Sequence, residues 1–229
     1  MACINAVPFV GAQNAVDTYR TGAAAVGSLI DALSAEGMID PARVAMGGLS
    51  FGSEVTMWTA VHSRRLAAVS IASSQIEPAE YWLSAMPGSD HAVFSRKVWG
   101  LGPPEETPTQ WKRVSPALNV ASINVPILFQ LPEQEARRMP ELYSRLAAAG
   151  IPTELYAFPD EAHIKMQPRH RLAIYQRNLD WFRYWLQDAR DPDAAKADQY
   201  RRWDQLKERR NASRTPQPLE ATIRAHKVR

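Results

Sequence analysis

A glycine-flanked serine occurs early in the chain, in the pentapeptide Gly48-Leu49-Ser50-Phe51-Gly52. The pattern G-x-S-x-G is typical of a sharp turn between a buried strand and a helix, from which the serine hydroxyl projects as a nucleophile. Gly48 and Gly52 would let the strand and the helix approach closely, and the backbone N–H of Phe51 could donate to a developing oxyanion. The same pattern also occurs in plain glycine-rich turns, so its meaning depends on the elements around it.

A serine hydroxyl is a weak nucleophile and needs a base. Of the five histidines, His163 alone lies in a loop directly after a late predicted strand, whereas His62 lies in a predicted helix and His226 near the end of the chain. The order of serine, acid and histidine along the chain is that of α/β hydrolases. We therefore expect His163 to be the general base for Ser50.

Two glutamates, Glu133 and Glu135, follow the predicted strand VPILFQL and are candidates for the orienting acid. A carboxylate beside the histidine would fix its tautomer and stabilise the imidazolium that forms during attack. The position of the strand does not decide which of the two glutamates is the acid, and either could also be a solvated surface charge.

The elements around these residues are predicted from hydrophobic periodicity and from turn residues. Strands are expected at 43–46, 66–73, 125–131 and 152–158, and helices at 16–36, 53–64, 140–150 and 170–187. This alternation predicts an α/β fold with a parallel sheet and helices on both faces. Right-handed crossovers bring the carboxyl ends of the strands to one edge, where Ser50, Glu135 and His163 should meet. Residues 74–122 are expected to form a loop-and-helix excursion over the sheet.

The composition argues against several classes of partner. The chain has 27 Lys and Arg against 24 Asp and Glu, and the basic excess belongs to the segment after Asp204, so we expect no nucleic-acid partner. The tail is interpreted as solvated. No stretch approaches the ~20 apolar residues of a membrane span, and the first dozen residues lack a basic n-region. We expect a soluble protein that is cytoplasmic by default, although its compartment stays open.

Around the serine, the acid loop and the histidine, the chain resembles the C-terminal catalytic domain of the prolyl oligopeptidase family. The resemblance rests on residues 37–53 and on the order of strand, acid loop, helix, strand and histidine over residues 126–163. In that family the acid loop has the form H-G-x-x-D, and its last residue is the triad acid. When this form is aligned with residues 131–135, its last residue falls on Glu135. The resemblance therefore makes Glu135 the acid and leaves Glu133 at a non-triad position.

Within the family the chain is similar to the lasso peptide isopeptidases, through glutamate as the acid and through residues 163–186 and 191–203. Such enzymes cleave the isopeptide bond between a lasso peptide's N-terminal amine and an Asp or Glu side chain. The resemblance implies that Ser50 forms an acyl-enzyme, that His163 transfers the proton to the leaving amine, and that Glu135 holds His163. It implies no metal and no organic cofactor.

The resemblance covers about residues 16–205 and predicts two parts. Residues 1–188 would form a partial α/β-hydrolase domain, and residues 189–229 a charged helix and a basic tail. Family members carry a β-propeller and the first strands of the hydrolase sheet before the matching region, and these are expected to be absent here. The resemblance then implies an upstream polypeptide or a missing N-terminal propeller domain. Whether the chain is a fragment, a truncated product or one of two cooperating polypeptides stays open.

Two other functions stay open at this point. The chain could be a general oligopeptidase or aminopeptidase of the same family, with ordinary linear peptides as substrates. It could also be a non-catalytic module that completes the sheet of a partner chain.

Overall fold

Four parallel strands form one sheet in the order β1-β2-β3-β4. The computed structural model describes residues 1, 3–5, 14–86 and 89–214, so the predicted basic tail beyond residue 214 lies outside the described residues. The strands are β1 Ala45–Gly48, β2 Ala68–Ile71, β3 Ile127–Pro132 and β4 Thr153–Phe158. The predicted parallel sheet is confirmed.

Helices follow each of the four strands and also precede the first. The main helices are α1 Ala15–Ala35, α2 Phe51–His62, α3 Pro78–Ser84, α4 His91–Trp99, α5 Pro108–Val114, α6 Glu133–Ala136, α7 Pro140–Ala148, α8 Pro168–Gln187 and α9 Ala197–Arg214. Helix α1 begins at Asn14, whose side chain accepts the backbone N–H of Asp17, and ends before Gly37, which adopts a φ of 69°. An N-cap of this kind and a left-handed glycine are the usual boundaries of a helix.

One face of the sheet is covered by α2 and α7. The alternating residues Ile127, Phe129 and Leu131 of β3 point to this face, where they are fully buried against side chains such as Met57 of α2 and Leu142 of α7. Removing this apolar surface from water supplies the main stabilisation of the layer.

The other face is covered by α8 and α9 through a cluster of aromatic side chains. Trp181 and Tyr184 of α8 are buried with Tyr200 and Trp203 of α9, and the ring centroids of Trp181 and Trp203 lie 5.1 Å apart, edge to face. Edge-to-face packing is a favoured arrangement of aromatic rings. Helix α9 therefore covers the same sheet as α8, and the predicted division of the chain at residue 188 stays a prediction.

The excursion between β2 and β3 contains α3, α4, α5 and a 3₁₀ segment at Ala117–Ser122. Its own small core is formed by Tyr81, Leu101 and Trp111. The two ends of the excursion are joined by the buried carboxyl group of Glu77, which accepts the hydroxyl of Ser115 and, at 2.9 Å, the backbone N–H of Ala117.

No helix among the described residues is long and apolar enough to span a bilayer.

Candidate active site

Ser50 lies on a strained turn between β1 and α2. Its backbone has φ 55° and ψ −129°, although a residue other than glycine rarely adopts a positive φ. Helix α2 begins at the next residue, and Ser50 is exposed to solvent. This geometry is that of a nucleophile elbow, in which the turn projects the serine hydroxyl from the sheet edge.

The two glycines of the pentapeptide differ in their surroundings. A Cβ added to Gly48 would lie 2.2 Å from the carbonyl carbon and oxygen of Gly52 and 2.6 Å from the nitrogen of Ser53. A Cβ added to Gly52 would meet no atom within 4 Å among those described. The close approach of strand and helix therefore requires glycine at position 48, and the same steric reason does not apply at Gly52.

The backbone N–H of Phe51 is free to serve a ligand. Phe51 is the first residue of α2, and in the described part of the chain its N–H has no acceptor. The side chain of Phe51 packs instead on Tyr19, with ring centroids 5.2 Å apart. An N–H at a helix N-terminus next to the nucleophile can stabilise an oxyanion.

Glu135 and His163 are brought together across the sheet edge. Glu135 lies on α6 directly after β3, His163 lies in the loop after β4, and His163 Nδ1 is 2.6 Å from Glu135 Oε1. The other oxygen, Oε2, accepts the backbone N–H of Ser74 at 2.7 Å. An ionised carboxylate only accepts hydrogen bonds, so a carboxylate here pairs with an Nδ1–H and leaves Nε2 as the acceptor.

Glu133 lies elsewhere. Its carboxylate pairs with Arg137 one turn further along, and 44% of its side chain is exposed, against 13% for Glu135. The structure therefore brings Glu135, and not Glu133, to the histidine.

Ser50 and the histidine loop are joined indirectly. Within the described ranges the Ser50 hydroxyl makes no hydrogen bond to His163, but the hydroxyl of Ser73 donates to the Ser50 carbonyl at 3.3 Å while the N–H of Ser74 holds Glu135. Serine–histidine bonds in unliganded enzymes are often long and shorten when substrate binds.

A partly buried carboxyl group, that of Glu54, lies one helical turn after the serine. It accepts the hydroxyl of Tyr19, which in turn accepts Nε1 of Trp99 at 2.5 Å. Burial, the largest effect, raises the pKa of Glu54 to about 7, and the nearby His163 is one of the groups that lower it. The start of α2 and the imidazole are therefore within electrostatic reach of each other.

Ser74, Lys165 and Glu161 surround the proposed acid and base but were not singled out from the sequence. Ser74 donates to Glu135 from 61 positions earlier in the chain, so local spacing carries no signal of the contact. Glu161 lies two residues before His163, and Lys165 lies two residues after it. Their spacing is visible in the sequence, but only the fold shows that both charged side chains are buried.

A strained serine after a parallel strand, a carboxylate–histidine pair at the same sheet edge and helices on both faces define an α/β hydrolase of the serine type. Comparison with family models gives the more particular assignment. Residues 23–189 match the model described as "Prolyl oligopeptidase family". The chain belongs to this family.

Among curated relatives, the lasso peptide isopeptidase AtxE2 of Asticcacaulis excentricus is 36% identical over 191 residues, which cover 83% of this chain and 27% of the relative. Dipeptidyl-peptidase 5 of Porphyromonas gingivalis is 25% identical over 166 residues, covering 69% of this chain and 24% of the relative. The chain therefore spans about a quarter of the length of these relatives.

Solved structures show the same likeness. The apo AtxE2 isopeptidase superposes with a TM-score of 0.78 at 32% identity, over 86% of this chain and 30% of the other. A variant of that enzyme with Astexin3-dC4 bound superposes with a TM-score of 0.74, over 85% of this chain and 30% of the other, at 32% identity. An acylaminoacyl peptidase of Pyrococcus horikoshii, 17% identical with a TM-score of 0.63 over 76% of this chain and 29% of the other, shares the fold.

Proposed function

We propose that this chain is the catalytic part of a serine peptidase that cleaves the isopeptide bond of lasso peptides, with Ser50, His163 and Glu135 as its triad. The observation that carries the proposal is the 2.6 Å contact between His163 Nδ1 and Glu135 Oε1, at the sheet edge that also holds the strained Ser50. The substrate class is supported by the 36% identity to a lasso peptide isopeptidase.

The proposed reaction follows from the roles of the three side chains. Ser50 Oγ attacks the carbonyl carbon of the isopeptide bond while His163 Nε2 takes the hydroxyl proton, and the Phe51 N–H stabilises the oxyanion. When the carbon–nitrogen bond breaks, His163 gives the proton to the leaving amine, so that the acyl group stays on Ser50. His163 then activates water, which hydrolyses the ester and releases a linear peptide with a free Asp or Glu side chain.

Glu135 has two tasks in this scheme. Its Oε1 keeps the Nδ1 proton in place, so that Nε2 faces the serine, and its negative charge stabilises the imidazolium. The backbone N–H of Ser74 on Oε2 fixes the carboxylate itself. A carboxylate held on both oxygens does not need to reorient when the imidazole becomes charged.

In this scheme the described residues supply one proposed backbone oxyanion donor, the N–H of Phe51. Loss of one such donor typically lowers the rate by about 10²–10³-fold. We propose that a second donor and the substrate gate come from upstream polypeptide, since the chain spans only 27% of its isopeptidase relative.

Labelling with a fluorophosphonate probe tests the catalytic role. The wild-type chain and Ser50→Ala are incubated with the probe, alone and after mixing with the family's upstream region, namely the propeller and the first hydrolase strands. We expect labelling of the wild-type chain, faster in the mixture, and none of Ser50→Ala. If the wild-type chain stays unlabelled in both conditions, the proposal is wrong and a non-catalytic module that completes a partner's sheet is favoured.

Substrate choice needs a separate experiment. The preparation that reacts with the probe is taken without probe and incubated with a threaded lasso peptide and with linear peptides of the same sequence, and the products are identified by mass spectrometry. We expect the lasso peptide to gain the mass of one water and unthread. Cleavage of the linear peptides alone would favour the second candidate, a general oligopeptidase, for which the 25% identity to dipeptidyl-peptidase 5 is the supporting observation.

A further inference from the structure

A buried lysine lies two residues after the proposed base. Only 7% of Lys165 is exposed, and its Nζ donates to the carbonyl of Ala72 at 2.5 Å. Burial, the largest effect, lowers the pKa of Lys165, whereas the neighbouring carboxylates of Glu135 and Glu161 raise it. An ammonium is rarely buried without such partners, so its place beside the proposed acid calls for a reason.

The acceptor of this lysine belongs to a short segment that contacts all the loops of the proposed triad. We name residues 72–74, which directly follow β2, the β2 extension. The backbone N–H of its first residue donates to the Gly48 carbonyl at 3.0 Å, and the hydroxyl of its second residue to the Ser50 carbonyl at 3.3 Å. The backbone N–H of its third residue donates to Glu135 at 2.7 Å. The β2 extension thus fixes both the elbow and the acid.

The histidine loop, residues 159–167, is held to the following helix at its own base. The buried carboxylate of Glu161 accepts the backbone N–H groups of Met166 and Gln167 at 2.7 and 3.1 Å, and it lies 2.7 Å from Nδ1 of His170. These contacts shape the loop and cap α8. They do not join the loop to the serine or to the acid.

Two hydrogen bonds connect the histidine loop with the other side of the site. Among the described residues, the loop bonds outside itself and α8 only through His163 to Glu135 and through Lys165 to Ala72. The first bond is the one that catalysis uses. The second bond, from Lys165 to Ala72, ties the loop to the β2 extension. It therefore sets the position of the imidazole relative to Ser50 and Glu135.

We propose that Lys165 is a positioning residue for the proposed triad: its ammonium fastens the histidine loop to the β2 extension and holds the imidazole of His163 against Glu135. The role rests on the proposed function, because it concerns the base of that triad. Small displacements of a catalytic group lower rates steeply, so loss of the fastening should reduce the reactivity of Ser50 without removing any reacting group.

The test compares Lys165→Met, which removes the donor and the charge, with Lys165→Arg, which keeps both. The first readout is the downfield proton NMR resonance of the His163 Nδ1–H, assigned by its absence in His163→Ala. The second readout is the rate of fluorophosphonate labelling in the full 229-residue chain mixed with its upstream region. We expect Lys165→Met to lose the resonance and to be labelled about tenfold more slowly, and Lys165→Arg to restore both.

Lys207→Met is the matched control, because it removes a lysine whose Nζ pairs with Asp188 on the surface, far along the chain from the site. It should leave both readouts unchanged. Should Lys165→Met fail to fold by circular dichroism, Lys165→Ala, which also removes the donor and the charge, takes its place with the same two expectations.

The outcomes separate this inference from the proposed function. A resonance that persists in folded Lys165→Met, or that is absent from the wild-type chain, overturns the role of Lys165 whatever the labelling shows. A resonance that depends on Lys165 in a wild-type chain that the probe never labels supports the positioning role and contradicts the proposed catalysis.

Discussion

At the scale of single residues, the neighbouring glutamates of the acid loop provide a matched pair. Glu135→Ala removes the partner of His163 Nδ1, and we expect the labelling rate of Ser50 to fall by about 10³-fold or more, since the imidazole loses its tautomer and its orientation. Glu133→Ala removes a surface pair with Arg137 and should change the rate less than about twofold. Activity that survives the first change and fails with the second would reverse the assignment of the acid.

The glycines of the elbow provide a second matched pair. Gly48→Ala would place a Cβ 2.2 Å from the backbone of Gly52, so we expect it to lower the thermal midpoint by several degrees or to prevent folding. Gly52→Ala adds a Cβ to open space on the first turn of α2, where alanine is favoured over glycine by about 1 kcal/mol, and should not lower the midpoint. Differential scanning calorimetry measures both, and equal losses would contradict the steric difference between the two positions.

At the scale of elements, the sequence predicts which strands and helices exist better than it predicts their ends. The expected strand at 43–46 is found at Ala45–Gly48, because Gly47 and Gly48 pair with Ser70 and Ile71 through their backbones. Backbone pairing does not depend on a hydrophobic side chain, so periodicity cannot detect it.

Periodicity also cannot tell which aromatic residues of a helix face the core. The helix α8 carries five aromatic residues at helical spacing, yet Tyr175 is 60% exposed while Trp181 and Tyr184 are buried. The difference arises because Trp181 and Tyr184 pack between the sheet and α9, and these contacts exist only in the assembled layers. Contacts such as Lys165 with Ala72, 93 positions apart, are unpredictable for the same reason.

The packing of α9 on the sheet can be measured. Trp203 is fully buried and its Nε1 donates to the carboxylate of Glu154 on β4. We expect Trp203→Ala to lower the free energy of unfolding by about 3–5 kcal/mol. Trp82→Ala, at a tryptophan that is 54% exposed, should cost less than about 1 kcal/mol. Urea unfolding of the two variants gives the comparison, and a small loss for Trp203→Ala would show that α9 folds separately from the sheet.

The buried Glu77 of the excursion should make the free energy of unfolding depend on pH. Burial raises the pKa of Glu77 from its ordinary 4.5 to about 8, so the folded chain keeps a proton that the unfolded chain releases within this window. The free energy of unfolding should therefore fall as the pH rises from 5 to 8, by roughly 4 kcal/mol at most from this group.

Thermal midpoints of Glu77→Gln test this origin of the pH dependence. The amide cannot ionise, so the fall between pH 5 and 8 should be smaller in this variant than in the wild-type chain. Glu105→Gln, at an exposed position of the same excursion, serves as the control and should keep the wild-type slope. An unchanged slope in Glu77→Gln would contradict the assignment to Glu77.

At the scale of the whole molecule, the strand that leads to the proposed nucleophile Ser50 lies at an edge of the sheet. In the described residues β1 pairs with β2 alone, and its burial is less complete than that of the fully buried β2 and β3. Exposed backbone of this kind is a template for a further strand. Helix α8, whose Phe182 would lie 3.7 Å from a Cβ added to Gly47 of β1, leaves an apolar row of Leu172, Tyr175 and Leu179 exposed by 57%, 60% and 38%.

We predict that the family's upstream hydrolase strands pair with β1 and cover this row. Amide hydrogen exchange, measured by mass spectrometry before and after the upstream region is added, should slow in residues 45–48 and 172–179. Amides of β4 should be unchanged, because that strand forms the opposite edge of the sheet and does not touch β1. If labelling of Ser50 accelerates on mixing while exchange in β1 stays fast, the upstream region acts from another surface, since a paired edge strand cannot keep its amides open to water.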